Sequence, residues 1–141
     1  MRRIPDTSLW LGHLGDSRDL RAVLSEGILA LVDLAVEAPA APVTRDLVYL
    51  RFPVVDGGGN PPWLLRAAVK TVAELVRADV PAMVACGAGM SRAPAIAAAG
   101  LALARGWEAH DALVRVTGDA PHDVTPALWR DVLACVTEDR R

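Results

Sequence analysis

Lysine is almost missing from this chain, cysteine is rare, and no two histidines stand near each other. Lys70 is the single lysine against fourteen arginines, a compositional habit that carries no functional message of its own. The two cysteines, Cys86 and Cys135, are too few for a disulfide framework and fit a reducing compartment. His13, His110 and His122 have no ligand spacing among them, so neither a metal nor another cofactor is expected. Long apolar runs are also lacking. The stretch 93–104 is too short to cross a bilayer, and the opening MRRIPDTSLWLGHLGD shows no secretory pattern. With a formal net charge of −2, no global field draws the chain to nucleic acid or anionic lipid. The expectation is a cytoplasmic monomer with neither nucleic acid nor membrane as partner.

The 141 residues, 52% of them apolar, suit one compact domain over 1–141, able to bury its core without disulfides. No repeat or low-complexity linker divides it. A short strand is expected over 8–11, then a helix capped by Asp16 or Ser17, with Leu20, Val23 and Leu24 inward and Gly27 as its stop. The apolar run 28–35, interrupted by Asp33, reads as a buried strand, and 47–52 as another. The segment 53–62, with Gly57, Gly58 and Gly59 in a row, is the most loop-like, expected to move or to fit closely around something. A helix over 63–78 presents Arg66, Lys70, Glu74 and Arg77 to water and Leu65, Val69, Val72 and Val76 to the core. A strand over 80–85 follows, then helices over 92–105, 107–116 and 126–136. Pro94 falls in the first turn of the 92–105 helix, where proline is tolerated. Strands alternating with helices predict an α/β fold: a mostly parallel central sheet flanked by helices.

One segment carries chemistry. Cys86-Gly-Ala-Gly-Met-Ser-Arg92 lies between a strand end and a helix start. A loop entering a helix aims several backbone N–H groups at one point, and the helix dipole adds positive charge there. Gly87 and Gly89 let the backbone curl into such a nest. A thiol held among those donors and a guanidinium is favoured as thiolate, the nucleophilic form. Arg92 supplies a planar fork that can grip two phosphoryl oxygens, which lysine cannot. The same cysteine–arginine spacing recurs at Cys135 and Arg141, but that copy has no glycine, two acidic residues inside it and no following helix. It makes a poor anion site. The Cys86 copy has the glycines and the following helix, which favour it over the alternative of a buried structural thiol followed by a surface arginine.

This loop resembles the signature loop of the dual-specificity phosphatases, within the protein tyrosine phosphatase superfamily. Ser8-Leu-Trp-Leu-Gly-His is similar to that family's opening strand, the segment 27–35 to its second, and Pro53-Val-Val-Asp56 to its acid loop. The resemblance implies a protein tyrosine phosphatase-like fold. It also implies hydrolysis of phosphate monoesters, in phosphoproteins or small molecules, through a phosphocysteine. Cys86 would be the nucleophile. Arg92 and the loop residues Gly87, Ala88, Gly89, Met90 and Ser91 would bind the phosphate, and Asp56 would be the general acid. Taken alone, Asp56 equally suits the start of a turn before Gly57, with Asn60 its nearest polar neighbour.

Two positions depart from the family's pattern. Ala85 stands where a histidine is usual and Ala93 where a hydroxyl residue is usual. The second loss implies slow breakdown of the phosphocysteine unless Ser91 supplies a replacement hydroxyl. The family's loop-bracing asparagine is also missing. Asp123 or Thr125 stands nearby, though capping of the last helix is the simpler role for either. His122 reads as a surface residue, and His13 and His110 carry no signal. Trp10, Trp107 and Trp129 read as packing residues, and Trp63 as a candidate for the pocket rim. Two other functions compete: a phosphate-binding module without turnover, and a rhodanese-like sulfurtransferase or arsenate reductase. Asp56, thirty residues before Cys86, favours the phosphatase.

Overall fold

The computed structural model describes residues 1–41, 45–118 and 121–141. Among them, five strands form one sheet: β1 (Arg2–Arg3), β2 (Leu9–Gly12), β3 (Ala30–Ala35), β4 (Val48–Val54) and β5 (Ala82–Ala85). The order across the sheet is β1-β2-β5-β3-β4. The four longer strands pair in parallel, and β1 joins β2 antiparallel at the edge. The described helices are α1 (Leu14–Arg18), α2 (Leu20–Ser25), α3 (Pro62–Arg77), α4 (Arg92–Arg105), α5 (Ala109–Thr117) and α6 (Pro126–Asp139). None is long and apolar enough to cross a membrane.

Both faces of the sheet are covered, which is why β3 and β5 are buried at every position. Leu9, Leu11, Ala30, Val32, Leu34 and Val84 face the large helical layer of α3 to α6. Leu31, Met83 and Ala85 turn the other way, onto Val23 and Ile28. Helix α4 has almost no wet side, as its alanine-rich sequence predicts, and Gly100 is where α3 packs against it. A Cβ there would meet Val72 Cγ1 at 2.4 Å. Asp33 is the one charged residue inside β3, 1% exposed. Its Oδ1 accepts the Ala35 N–H at 3.1 Å and its Oδ2 the Tyr49 hydroxyl, so the buried group is satisfied.

The expected helix after β2 is in fact two. His13 caps α1, its ring accepting the Asp16 N–H at 3.3 Å while the Asp16 carboxylate takes the His13 N–H at 3.0 Å. Asp16 and Ser17 thus lie inside the helix rather than at its cap. Asp19 breaks the run and caps α2 through the Ala22 N–H at 3.1 Å. Leu24, expected inward, is 36% exposed. Chemically, a histidine cap is legible only once its partner three residues on is read with it.

Helix α3 ends in a Schellman turn: Val80 N–H bonds Leu75 O at 2.9 Å and Asp79 N–H bonds Val76 O at 3.0 Å. Asp79 sits there at φ 55°, whereas α4 ends in glycine, Gly106 at φ 69°. Asp79→Gly is expected to stabilise the fold by roughly 0.5 kcal/mol, the relief of left-handed strain being partly offset by glycine's freedom in the unfolded chain. A small rise in the urea midpoint at unchanged slope is the expected readout, and a fall would contradict it.

Candidate active site

The C-terminal ends of β3, β4 and β5 open on one edge, where parallel α/β sheets usually hold their ligands. Strand β5 delivers Cys86, 2% exposed, and the chain turns at once through Gly87, Ala88, Gly89 and Met90 into α4. The turn is tied on all sides. Cys86 N–H donates to Gly12 O at 3.3 Å, Leu14 N–H to Gly87 O at 3.1 Å, and Asp123 N–H to Met90 O at 2.7 Å. Gly89 is left-handed at φ 75°, and a side chain there would also press on Gly12 O at 3.0 Å. Ala93 N–H, in the first turn of α4, points at Cys86 Sγ, 3.4 Å away.

Arg92 is held by three segments. Its Nη1 donates to Val54 O at 3.0 Å, at the end of β4, and to Leu34 O at 3.4 Å, near the end of β3. Glu37, just past β3, takes the end of the fork with both oxygens, Oε2 to Nη1 at 2.7 Å and Oε1 to Nη2 at 2.6 Å. Gly87 makes room for this pair, since a Cβ there would stand 2.7 Å from Glu37 Oε1. The side of the fork is left over: Arg92 Nε is buried and has no hydrogen-bond partner among the described residues, and Nη2 makes a single bond, to Glu37. An unspent, buried N–H on a cation is an invitation to an anionic oxygen.

The pairing is electrostatic as well as geometric. Hydrogen bonds from Arg92 pull the Glu37 carboxyl from 4.5 to about 2, against the opposing effect of burial. The same bonds raise Arg92 further above its ordinary value, with smaller help from the charges of Cys86 and Asp56. A depressed carboxyl contributes stability above its unfolded value and loses it as pH falls towards the folded one. Glu37→Gln is therefore expected to flatten the acid limb of the stability–pH curve between pH 4.5 and about 2. Urea unfolding at several pH values would show it, and two parallel curves would contradict it.

Asp56 follows β4 in the glycine-rich loop, which is not left to wander. Asn60, 7% exposed, folds back on it: Oδ1 accepts Val55 N–H at 2.8 Å, and Nδ2 donates to Val55 O at 2.9 Å and Gly57 O at 3.2 Å. Asp56 Oδ1 accepts two hydroxyls, Ser91 Oγ at 2.6 Å and Thr125 Oγ1 at 2.8 Å. Ser91 Oγ in turn accepts Thr125 N–H at 3.1 Å. Two expectations change here. Ser91 does not stand in for the missing hydroxyl at the sulfur, because its oxygen is committed to Asp56 and Thr125. Thr125 precedes α6 but makes no side-chain cap to it.

Asp56, Cys86, Ala88, Met90, Ser91, Arg92 and Asp123 line one cleft of about 90 Å³. Gly87 braces it from behind. Of the residues proposed from sequence, Asp56, Cys86, Ala88, Met90, Ser91 and Arg92 line this cleft, and Gly87 and Gly89 belong to the turn without lining it. A larger hollow of about 180 Å³ lies between α3 and α6 beside Cys135, but it holds no such constellation. Cys135 Sγ donates to Asp131 O at 3.5 Å, and burial pushes its thiol up, which suits a structural cysteine. Trp63, 63% exposed, is not part of the cleft lining. Among the described residues no group of three or more His, Cys, Asp and Glu side chains has the geometry of a metal site.

Glu37 was missed by the sequence reading, and Asn60 and Thr125 were noticed without their roles. The one available signal for Glu37 was its place two residues beyond a buried strand, on the edge where the nest must lie.

No family model matches the chain, and no curated protein matches its sequence. Solved structures do match in shape. Human DUSP28 superposes at a TM-score of 0.85, with 22% identity, over 99% of this chain and 98% of its own. DUSP15 follows at 0.80 and 20%, over 100% and 90%. PTPMT1 in complex with PI(5)P superposes at 0.76 and 19%, over 97% and 94%. The fold is that of the small dual-specificity phosphatases, with its mixed sheet flanked by helices.

Proposed function

We propose that the protein hydrolyses phosphate monoesters through a phosphocysteine at Cys86. One observation carries the reading: a buried sulfur shares a small cleft with a guanidinium whose Nε donor is buried and unspent. Glu37 occupies the end of the Arg92 fork, so the Nε side remains for the phosphoryl oxygens, beside the N–H groups of the 87–92 turn. Cys86 Sγ attacks phosphorus, the S–P bond forms, and the P–O bond to the alcohol breaks. Asp56 gives the leaving oxygen its proton. Water then attacks the phosphocysteine, Asp56 takes a proton from it, the S–P bond breaks and inorganic phosphate leaves. The shared fold with dual-specificity phosphatases supports this sequence of steps.

The substrate class we favour is a singly phosphorylated group, on tyrosine and on serine or threonine of proteins. Arg92 is the one cation lining the cleft among the described residues, and Asp56 and Asp123 line it too. That balance suits one phosphate and disfavours a second beside it.

Slow release is built into this site. The sulfur receives the Ala93 N–H, and the hydroxyl in the cleft lining, Ser91, is committed to Asp56. Hydrolysis of para-nitrophenyl phosphate is expected to begin with a burst of nitrophenol, near one per protein molecule, followed by a slow steady rate. Ala93→Ser restores a hydroxyl beside the leaving sulfur and is expected to raise the steady rate about tenfold while shrinking the burst. Absence of any hydrolysis would leave the phosphate-binding module as the better reading. Sulfur transfer from thiosulfate without phosphatase activity would establish the rhodanese-like one.

A further inference from the structure

We infer that the Thr125 hydroxyl is a positioning group for the general acid, acting on Asp56 and not on its own helix. The assignment rests on the proposed hydrolysis and deepens it. Threonine before a helix ordinarily turns its oxygen back onto the N–H groups of the first turn, a contact worth about 1 kcal/mol. Thr125 forgoes it: it stands at the N-cap of the 14-residue α6 in an extended conformation, φ −63° and ψ 125°, and makes no side-chain cap. Pro126 at the first helical position enforces that extended backbone.

The hydroxyl reaches instead across the cleft to Asp56 Oδ1 at 2.8 Å, a residue 69 positions earlier in the chain. Ser91 holds the same oxygen at 2.6 Å, and the Thr125 N–H holds Ser91 at 3.1 Å. With Oδ1 anchored by two hydroxyls, the transferable proton belongs on Oδ2, which no hydrogen bond engages among the described residues. Thr125 therefore fixes which oxygen delivers the proton and where it points. Its backbone N–H serves Ser91, and its hydroxyl serves the acid while also lying 3.3 Å from Ser91 Oγ. Removing the hydroxyl alone spares the backbone bond to Ser91.

Thr125→Val removes the hydroxyl, keeps the backbone N–H and keeps a β-branched side chain suited to the extended conformation. Steady-state rates would be compared on para-nitrophenyl phosphate, whose leaving group needs little help, and phenyl phosphate, whose leaving group needs a proton. If Thr125 positions the acid, Thr125→Val lowers kcat/KM, which reports the first half-reaction, about tenfold on phenyl phosphate and no more than about threefold on the nitrophenyl ester. The inhibition constant for vanadate stays unchanged, Thr125→Ser restores the rate, and Thr125→Val adds no further loss to Asp56→Asn. Equal losses on both esters, or weakened vanadate binding, would show that Thr125 braces the nest instead and overturn the assignment. An unchanged kcat/KM on phenyl phosphate would overturn it as well. Absence of turnover by the unmodified protein on either ester overturns the proposed hydrolysis, and this assignment with it.

Discussion

Cys86→Ser is expected to remove turnover of para-nitrophenyl phosphate, with a fall on the order of 10⁴ or more, as for other enzymes stripped of their nucleophile. The loss follows from chemistry, since the hydroxyl is a far weaker nucleophile and alkoxide a poorer leaving group in the second step. The nest itself should survive. Cys86 is 2% exposed, and serine is slightly smaller, so the ties from Gly12, Leu14 and Asp123 persist. Phosphate or vanadate should still bind Cys86→Ser, measured by calorimetry. Retained turnover in that variant would remove Cys86 from the mechanism. Loss of both binding and turnover would mean that the substitution had collapsed the loop, and Cys86→Ala would then be needed to separate the two.

Arg92→Lys should also be costly although it conserves charge. The guanidinium serves four acceptors in fixed directions: Val54 O, Leu34 O and both oxygens of Glu37. It still keeps its Nε in reserve. An ammonium is a point charge with three donors and cannot satisfy those acceptors and a phosphoryl group together. It would be drawn to Glu37, leaving the nest without its cation. A fall in kcat/KM on the order of 10² to 10³ is expected, with a parallel weakening of vanadate binding. A change of less than fivefold in both would mean that the fork does not face the phosphate.

How much of this was legible in the sequence depended on distance along the chain. Cys86, its glycines and Arg92 form one local unit, and α4 begins at Arg92 and ends at Arg105 as its alanine-rich pattern and terminal Gly106 indicate. The parallel strands were readable because burial on both faces leaves apolar runs without alternation. Strand β1 was not, being two arginines that pair only because β2 presents an edge. The partners of the site were also hidden. Glu37 meets Arg92 across 55 positions, and Thr125 meets Asp56 across 69. Neither lies in a local pattern, and Thr125 imitates an ordinary helix cap. Local rules favoured the cap, and the hydroxyl bonds Asp56 across the cleft instead.

The bonds that Asn60 makes to Val55 and Gly57 have a kinetic meaning. Three consecutive glycines would suit a gate that swings shut, yet this segment is clasped to itself by a buried amide. Under the proposed hydrolysis, a preorganised loop leaves less disorder to be quenched when an ester docks, so encounter and bond cleavage, not a swinging arm, are expected to set the pace of the first half-reaction.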